Sequence, residues 1–310
     1  MKLRLLSILL LCALVAACGI AAPAATPTAP ATETPLSPTP TQTLSPTSIF
    51  TPTITFTATP DTRPTPRNWS AWPIVPPVTQ HVIDLYLKGV QLGVTPRTFT
   101  VVGDCQSASN VFMGIYGTDR NPIGQNNPDL LATINDFKDS FQHTSAAVRD
   151  GLSAPSALDP LWADPQKCGS GESPVACELR LYKPMIVFVN LGTNWKPGAS
   201  ADVYEGYLRQ IVDLIIAAGA VPVLTNKADN VEGDHSINLA TAKVAYDYDI
   251  PMVNFWLAAD SLPNHGLDPS HEGKVDVYLT PAGWDVRNYV ALQTLDELWR
   301  AMKTAYNPGP

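Results

Sequence analysis

Four short apolar runs mark the chain, at residues 98–102, 185–191, 221–225 and 251–255. Each is nearly continuous instead of alternating, which predicts strands buried on both faces, as in a parallel sheet. Elsewhere the apolar positions recur every three to four residues and predict helices over 128–144, 203–218, 236–248 and 281–306. Gly219 supplies a stop for the second of these. Thr280 followed by Pro281 is a cap and first-turn pair for the last. Strands alternating with helices define an α/β chain, a three-layer α/β/α sandwich around a parallel sheet. Ligands of such sheets bind beyond the carboxyl ends of the strands. Polar residues collect at those ends: Asp104 and Cys105 after the first run, Gly192-Thr193-Asn194 after the second, Asn226 and Lys227 after the third.

The amino-terminal part follows a different pattern. Met1-Lys2-Leu3-Arg4 is short and basic, and residues 5–17 are apolar but too few to span a bilayer as a mature helix, so 1–17 reads as a secretory signal peptide. It ends in Val15-Ala16-Ala17-Cys18, which resembles the bacterial lipobox. That resemblance makes Cys18 the lipid attachment site and first mature residue, and the membrane a partner through a lipid anchor. Residues 18–67 hold mostly Pro, Thr, Ala and Ser with almost no charge, and cannot bury enough apolar surface to offset their ordering entropy. They are expected to form a disordered tether whose frequent prolines favour extended geometry. Residues 68–310 then form one α/β domain, placed outside the cytoplasm on the cell membrane.

Composition narrows the partners. A formal net charge of −8 and the lack of a basic run argue against nucleic acid and against adhesion of the folded domain to anionic lipid. No Gly-rich phosphate loop and no Cys/His zinc spacing occurs, so no cofactor and no metal are expected. Of the cysteines beyond Cys18, Cys168 and Cys177 flank a run of turn-forming residues, 169–176, and are expected to form a disulfide. Cys105 is left as the odd thiol.

The chemistry gathers around that thiol. Gly103-Asp104-Cys105-Gln106-Ser107, Gly192-Thr193-Asn194 and Asp268-Pro269-Ser270-His271 occur in that order and resemble the ordered blocks of the SGNH hydrolases, also called GDSL esterases. The resemblance covers most of residues 97–299 and implies a flavodoxin-like sandwich. It also implies an ester hydrolase with a nucleophile at Cys105, where the family carries serine. His271 is then the general base and Asp268 the residue that orients it. The oxyanion hole falls to Cys105 and Gly151 through their backbone and to Asn194 through its side-chain amide. A cysteine beside a histidine at a helix N-terminus is expected to ionise more readily than a free thiol.

The chain also departs from the family pattern. Trp195 stands where an aspartate often follows Gly-x-Asn. The stretch between His271 and Leu279-Thr280-Pro281-Ala282-Gly283 is longer than usual, so that a second alignment puts Asp276 and Tyr278 at the dyad and leaves no base. Ser107 is an alternative nucleophile, off the apex of the turn. His81, His143 and His235 read as surface or structural residues, His265 as a residue of the pocket entrance, and Asp104 as an acceptor of turn N–H groups. The expected function is a membrane-anchored extracytoplasmic hydrolase of acyl esters, with an acyl ester or surface glycan as substrate. The competing expectation is a catalytically impaired surface protein that keeps the fold for binding.

Overall fold

A computed structural model describes residues 61–124, 127–196, 198–271 and 277–306. The signal segment, Cys18 and nearly all of the tether lie outside the described residues.

The described chain runs through α1 (Gln80–Leu92), β1 (Phe99–Gly103), α2 (Pro128–Asp136), α3 (Ala154–Leu158), α4 (Pro174–Tyr182), β2 (Ile186–Asn190), α5 (Ala201–Ala217) and β3 (Val221–Thr225). It continues through α6 (Ser236–Asp247), β4 (Met252–Val253), α7 (Phe255–Ala259) and α8 (Pro281–Tyr306). The four strands pair in parallel in the order β1-β2-β3-β4. Beside β1, Val148 makes a single parallel bridge to Gly103. This places a one-residue remnant of a fifth strand on the far side of β1, next to the first strand in sequence, and completes a doubly wound order.

The continuous apolar runs behave as read. Alternate residues of one strand enter different cores: Ile186 and Phe188 join α1, α2 and α8, while Val187 and Val189 join α3, α4, α5 and α6. Helices therefore cover both faces, and the expected three-layer α/β arrangement is present. The first packed residues precede residue 68, since Arg63 donates to the Tyr246 carbonyl and to Asp249, each at 2.9 Å.

Two expected elements are shorter than their apolar patterns. The helix read over 128–144 stops at Asp136, although Phe137 and Phe141 are buried at helical spacing. The chain leaves the helix because the edge of β1 needs partners: Ser140 Oγ accepts from the Phe99 N–H at 3.0 Å, and Ser145 Oγ donates to the Val101 carbonyl at 2.7 Å. The fourth strand pairs only at Met252 and Val253, because Asn254 caps α7 by accepting from the Leu257 N–H. The expected disulfide between Cys168 and Cys177 is formed, but Cys177 lies within α4, an amphipathic helix opened by Ser173 and Pro174 that the turn-like composition concealed.

Glu178 of α4 joins the edge of the sheet together. Its buried carboxylate accepts from Thr100 Oγ1 at 2.6 Å and the Ala146 N–H at 2.7 Å, and lies 2.7 Å from His143 Nε2. Burial alone would raise its pKa, but the bonds from His143, Thr100 and Ala146 outweigh it and leave the group below the ordinary glutamate range. Its native-state pKa is depressed, so its contribution to stability is complete above the ordinary glutamate pKa and fades as pH falls through the native value. Glu178→Ala is expected to cost about 3 kcal/mol and lower Tm by roughly 5–15 °C. Glu178→Gln should flatten the acid limb of stability against pH, measured by urea denaturation across the acid range. Reducing the disulfide, which closes a span of 9 residues, should cost roughly 2–3 kcal/mol in the same assay.

Candidate active site at the carboxyl rim of the sheet

The site starts where β1 ends. Gly103 cannot carry a side chain: a Cβ there would lie 2.2 Å from Ser107 Oγ and 2.9 Å from the Asn190 carbonyl. Asp104 caps the short 3-10 turn Cys105–Ser107, its Oδ1 accepting from the Gln106 N–H at 3.0 Å. Its Oδ2 accepts from Asn194 Nδ2 at 2.9 Å, which ties the first block to the second. Asn194 reaches this point through Gly192, whose φ of +122° and contact distance of 2.9 Å from a hypothetical Cβ to Ile237 exclude larger residues. The second contact of the same amide is the Leu152 carbonyl at 3.4 Å.

Gln106 brings in the fourth segment. Its Nε2 donates to the Val277 carbonyl at 2.7 Å and its Oε1 accepts from the Leu279 N–H at 2.9 Å, holding the intervening Tyr278 in place. Beneath the turn, the buried Arg287 of α8 donates to the Gln106 carbonyl. Burial lowers the Arg287 pKa to about 10, against the opposing charge of Asp104. Burial in turn raises that of Asp104, against Arg287 and the Gln106 N–H.

Cys105 is partly exposed and free of any disulfide. Its thiol is pushed up to about 11, first by burial, then by the Asp104 charge and by a hydrogen bond and charge from Asp150, with a hydrogen bond from Tyr278 acting in the opposite sense. This corrects the expectation of an easily ionised thiol. The turn does stand at the carboxyl rim, but two carboxylates surround the sulfur and oppose its negative charge.

Four regions of sequence therefore meet at the thiol or its cap: the Cys105 turn, Asp150 next to Gly151, Asn194, and Tyr278. Gly151 takes a φ of +71° in the loop that brings Asp150 forward. Asp268 lies on a hairpin stem, its N–H donating to the Tyr278 carbonyl at 2.8 Å and its Oδ1 accepting from the Ser270 N–H at 2.9 Å. A short 3-10 turn, Pro269–His271, follows. The His271 side chain and Asp276 lie outside the described residues.

Other rim residues settle into structural roles. Lys227 Nζ is buried between Asp229 and Glu232, each at 2.5 Å, and Thr193 Oγ1 donates to Asp229 at 3.0 Å. Trp195 packs edge-on to Tyr204 at 5.6 Å and donates from Nε1 to the Ala199 carbonyl. His235 packs between Trp69 and Trp256. His143 stands in a turn beyond α2, not on a helix face, stacked on Tyr182 at 3.7 Å. Among the described residues, no group of three or more His, Cys, Asp and Glu is placed to hold a metal ion, and no helix is long and apolar enough to cross a membrane. Asp150, Gln106 and Arg287 are not singled out by the sequence as partners of the Cys105 turn, although Asp150 adjoins Gly151; the second alignment puts Tyr278 at the dyad, and it does hydrogen-bond the thiol.

No protein-family model matches the chain, and no curated protein sequence matches it. Among solved structures, the chain is similar to a GDSL-like lipase from Bacteroides thetaiotaomicron at 15% identity, over 70% of this chain and 98% of that one, with a TM-score of 0.42. It is also similar to the psychrotrophic esterase EstA from Pseudoalteromonas sp. at 15% identity, over 68% of this chain and 99% of that one, with a TM-score of 0.39.

The thiol environment sets a titration experiment. Alkylation of Cys105 by iodoacetamide, followed by mass spectrometry, should show a midpoint near pH 11. At pH 8 it should run about a hundredfold slower than with a free thiol. Asp150→Asn should move the midpoint down and speed labelling at pH 8 several-fold; a wild-type midpoint at or below that of free cysteine would contradict this account. Because the native thiol pKa is raised, the associated stability is present below the free-thiol pKa and is lost as pH rises toward 11.

Proposed function

We propose that the chain is an SGNH-type ester hydrolase that acts through Cys105. The observation that carries this reading is the meeting of four separated segments at the partly exposed Cys105 thiol or the Asp104 carboxylate that caps its turn, at the carboxyl rim of a parallel sheet, where such folds bind their ligands. In this reading Cys105 attacks an acyl carbonyl to give a thioester, and water releases the acid. His271 takes the thiol proton and passes it to the leaving alcohol, with Asp268 orienting the ring. The backbone N–H groups of Cys105 and Gly151, with the Asn194 amide, receive the developing oxyanion. Cys18 anchors the protein to the cell membrane outside the cytoplasm, and residues 18–67 tether the domain within reach of acyl esters of surface carbohydrate.

The high thiol pKa gives this reading a pH signature. Activity depends on removing a proton that two carboxylates hold in place, so kcat/KM on a short acyl ester such as p-nitrophenyl acetate should climb through the alkaline range. Cys105→Ala and His271→Ala are each expected to reduce it by about a hundredfold or more. A rate unchanged in Cys105→Ala would remove the proposal.

A second reading, a binding protein with no turnover, is favoured by two observations: the Asn194 amide is bonded to Asp104, and the thiol is raised instead of lowered. Cys105→Ser separates the two. A large gain in esterase activity supports a working apparatus detuned by sulfur, and no activity in either form supports binding.

A further inference from the structure

The acyl-transfer reading gives no task to Asp150, although its carboxylate hydrogen-bonds the Cys105 thiol. The backbone fixes this residue from two sides. The Arg149 N–H donates to the Gly103 carbonyl at 3.2 Å, and Val148 bridges the same glycine, which ends the strand that leads into Cys105. On the other side the Leu152 carbonyl lies 3.4 Å from the Asn194 amide, and the Leu152 N–H closes a turn onto the Arg149 carbonyl at 3.1 Å. Asp150 and Gly151 form the tip of that turn, Gly151 at a φ of +71°, and both are exposed.

The charge at this tip is unanswered. Asp150 makes no ion pair among the described residues, and three cations of the rim are engaged elsewhere. Arg149 turns to the Trp162 carbonyl at 3.0 Å and over the Trp162 ring at 5.7 Å. Lys227 is held between Asp229 and Glu232. Arg287 is buried beneath the turn, where it answers Asp104. Lys196, beyond Asn194, is exposed, but the charges that weigh most on the sulfur are those of Asp104 and Asp150. A carboxylate open to solvent therefore stands against the nucleophile.

We propose that Asp150 sets the specificity of the Cys105 site, favouring esters that carry positive charge on the carbon next to the reacting carbonyl, as aminoacyl esters do, over neutral and anionic esters. The choice of an ester rests on the hydrolase reading; the preference for positive charge at the thiol does not. In that reading the leaving alcohol takes its proton from the segment that ends at His271, whereas Asp150 adjoins Gly151 on the oxyanion side, so the substituent that meets the carboxylate belongs to the acyl group. An ammonium seated there takes away the opposition of Asp150 to the thiolate, and the favoured substrate thereby eases proton loss from Cys105. An anionic acyl group instead adds a third negative charge beside Asp104 and Asp150. Unit charges in contact at a wet surface change a rate or an affinity by about tenfold.

Two measurements on the full chain test the proposal. In the first, Cys105 is modified with methanethiosulfonates bearing either a trimethylammonium or a sulfonate group, and the cation-to-anion rate ratio, read at the Cys105 peptide by mass spectrometry, is divided by that of 2-mercaptoethanol. The quotient is expected to be about ten in the wild type, to fall about fivefold or more in Asp150→Asn, and to stay close to wild type in Asp150→Glu. In the second, kcat/KM at pH 7 is compared for alanine methyl ester, methyl isobutyrate and monomethyl methylmalonate, acyl groups of one shape with positive, zero and negative charge. Each value is divided by the hydroxide-catalysed rate of the same ester. The order cation, neutral, anion is expected at about tenfold per step, flattening in Asp150→Asn. A wild-type quotient at or below one, a quotient that ignores Asp150→Asn while thermal melting is unchanged, or turnover of the esters in no order of charge would overturn the proposal. Turnover of none of the esters counts against the hydrolase reading alone, and the labelling quotient then decides this one.

Discussion

The carboxylate of Asp104 is the interaction on which the rim depends. It is buried at the end of β1 and must find donors there; it finds the Gln106 N–H in its own turn and the Asn194 amide from the end of β2. One bond shapes the turn that presents Cys105, and the other fixes the loop after the neighbouring strand. Arg287 answers the remaining charge from below while holding the Gln106 carbonyl. The geometry of the site is thus a consequence of satisfying a single buried charge. The same charge also acts on the sulfur. A carboxylate close enough to order the turn is close enough to oppose a thiolate, and Asp150 adds a second. Order and reactivity pull in opposite directions here. A hydroxyl nucleophile, which reacts as it loses its proton to a base and does not rely on a standing anion, would feel that opposition less than a thiol does.

Gln106 carries this ordering to the other end of the sequence. By bonding the backbone on both sides of Tyr278, it ties the segment before α8 to the Cys105 turn. The hairpin stem bearing Asp268 pairs in turn with that segment, through the Tyr278 carbonyl and the bridge between Leu267 and Leu279. The stem that bears Asp268 is therefore rooted at Gln106.

What the sequence disclosed follows from the range of the forces involved. Strands buried on both faces announce themselves by composition alone, and β3 and α8 have the bounds their patterns predict. Long-range demands were invisible. The end of α2 is decided by the need of β1 for two serine hydroxyls, 41 and 44 residues away from their partners. The fifth strand position rests on one bridged residue, too little to leave a pattern. At the site, Cys105 and Asn194 were readable as blocks at strand ends, whereas the bonds that Gln106 and Arg287 make across more than 170 residues gave no local sign.

The same short pairing that hid the fifth strand also explains why a cavity lies beside the site. A full strand at this edge would have satisfied the outward backbone groups of β1 and filled the space over Phe99 with side chains. Hydroxyl groups from Ser140 and Ser145 satisfy part of that edge at a longer reach than a backbone ladder would, so the covering segment stands off from the sheet. Glu178 then has to secure the loosened segment from the opposite side, through Ala146 and His143. The polar network around Glu178, the incomplete strand and the cavity beside it are three aspects of one local solution to an unpaired sheet edge.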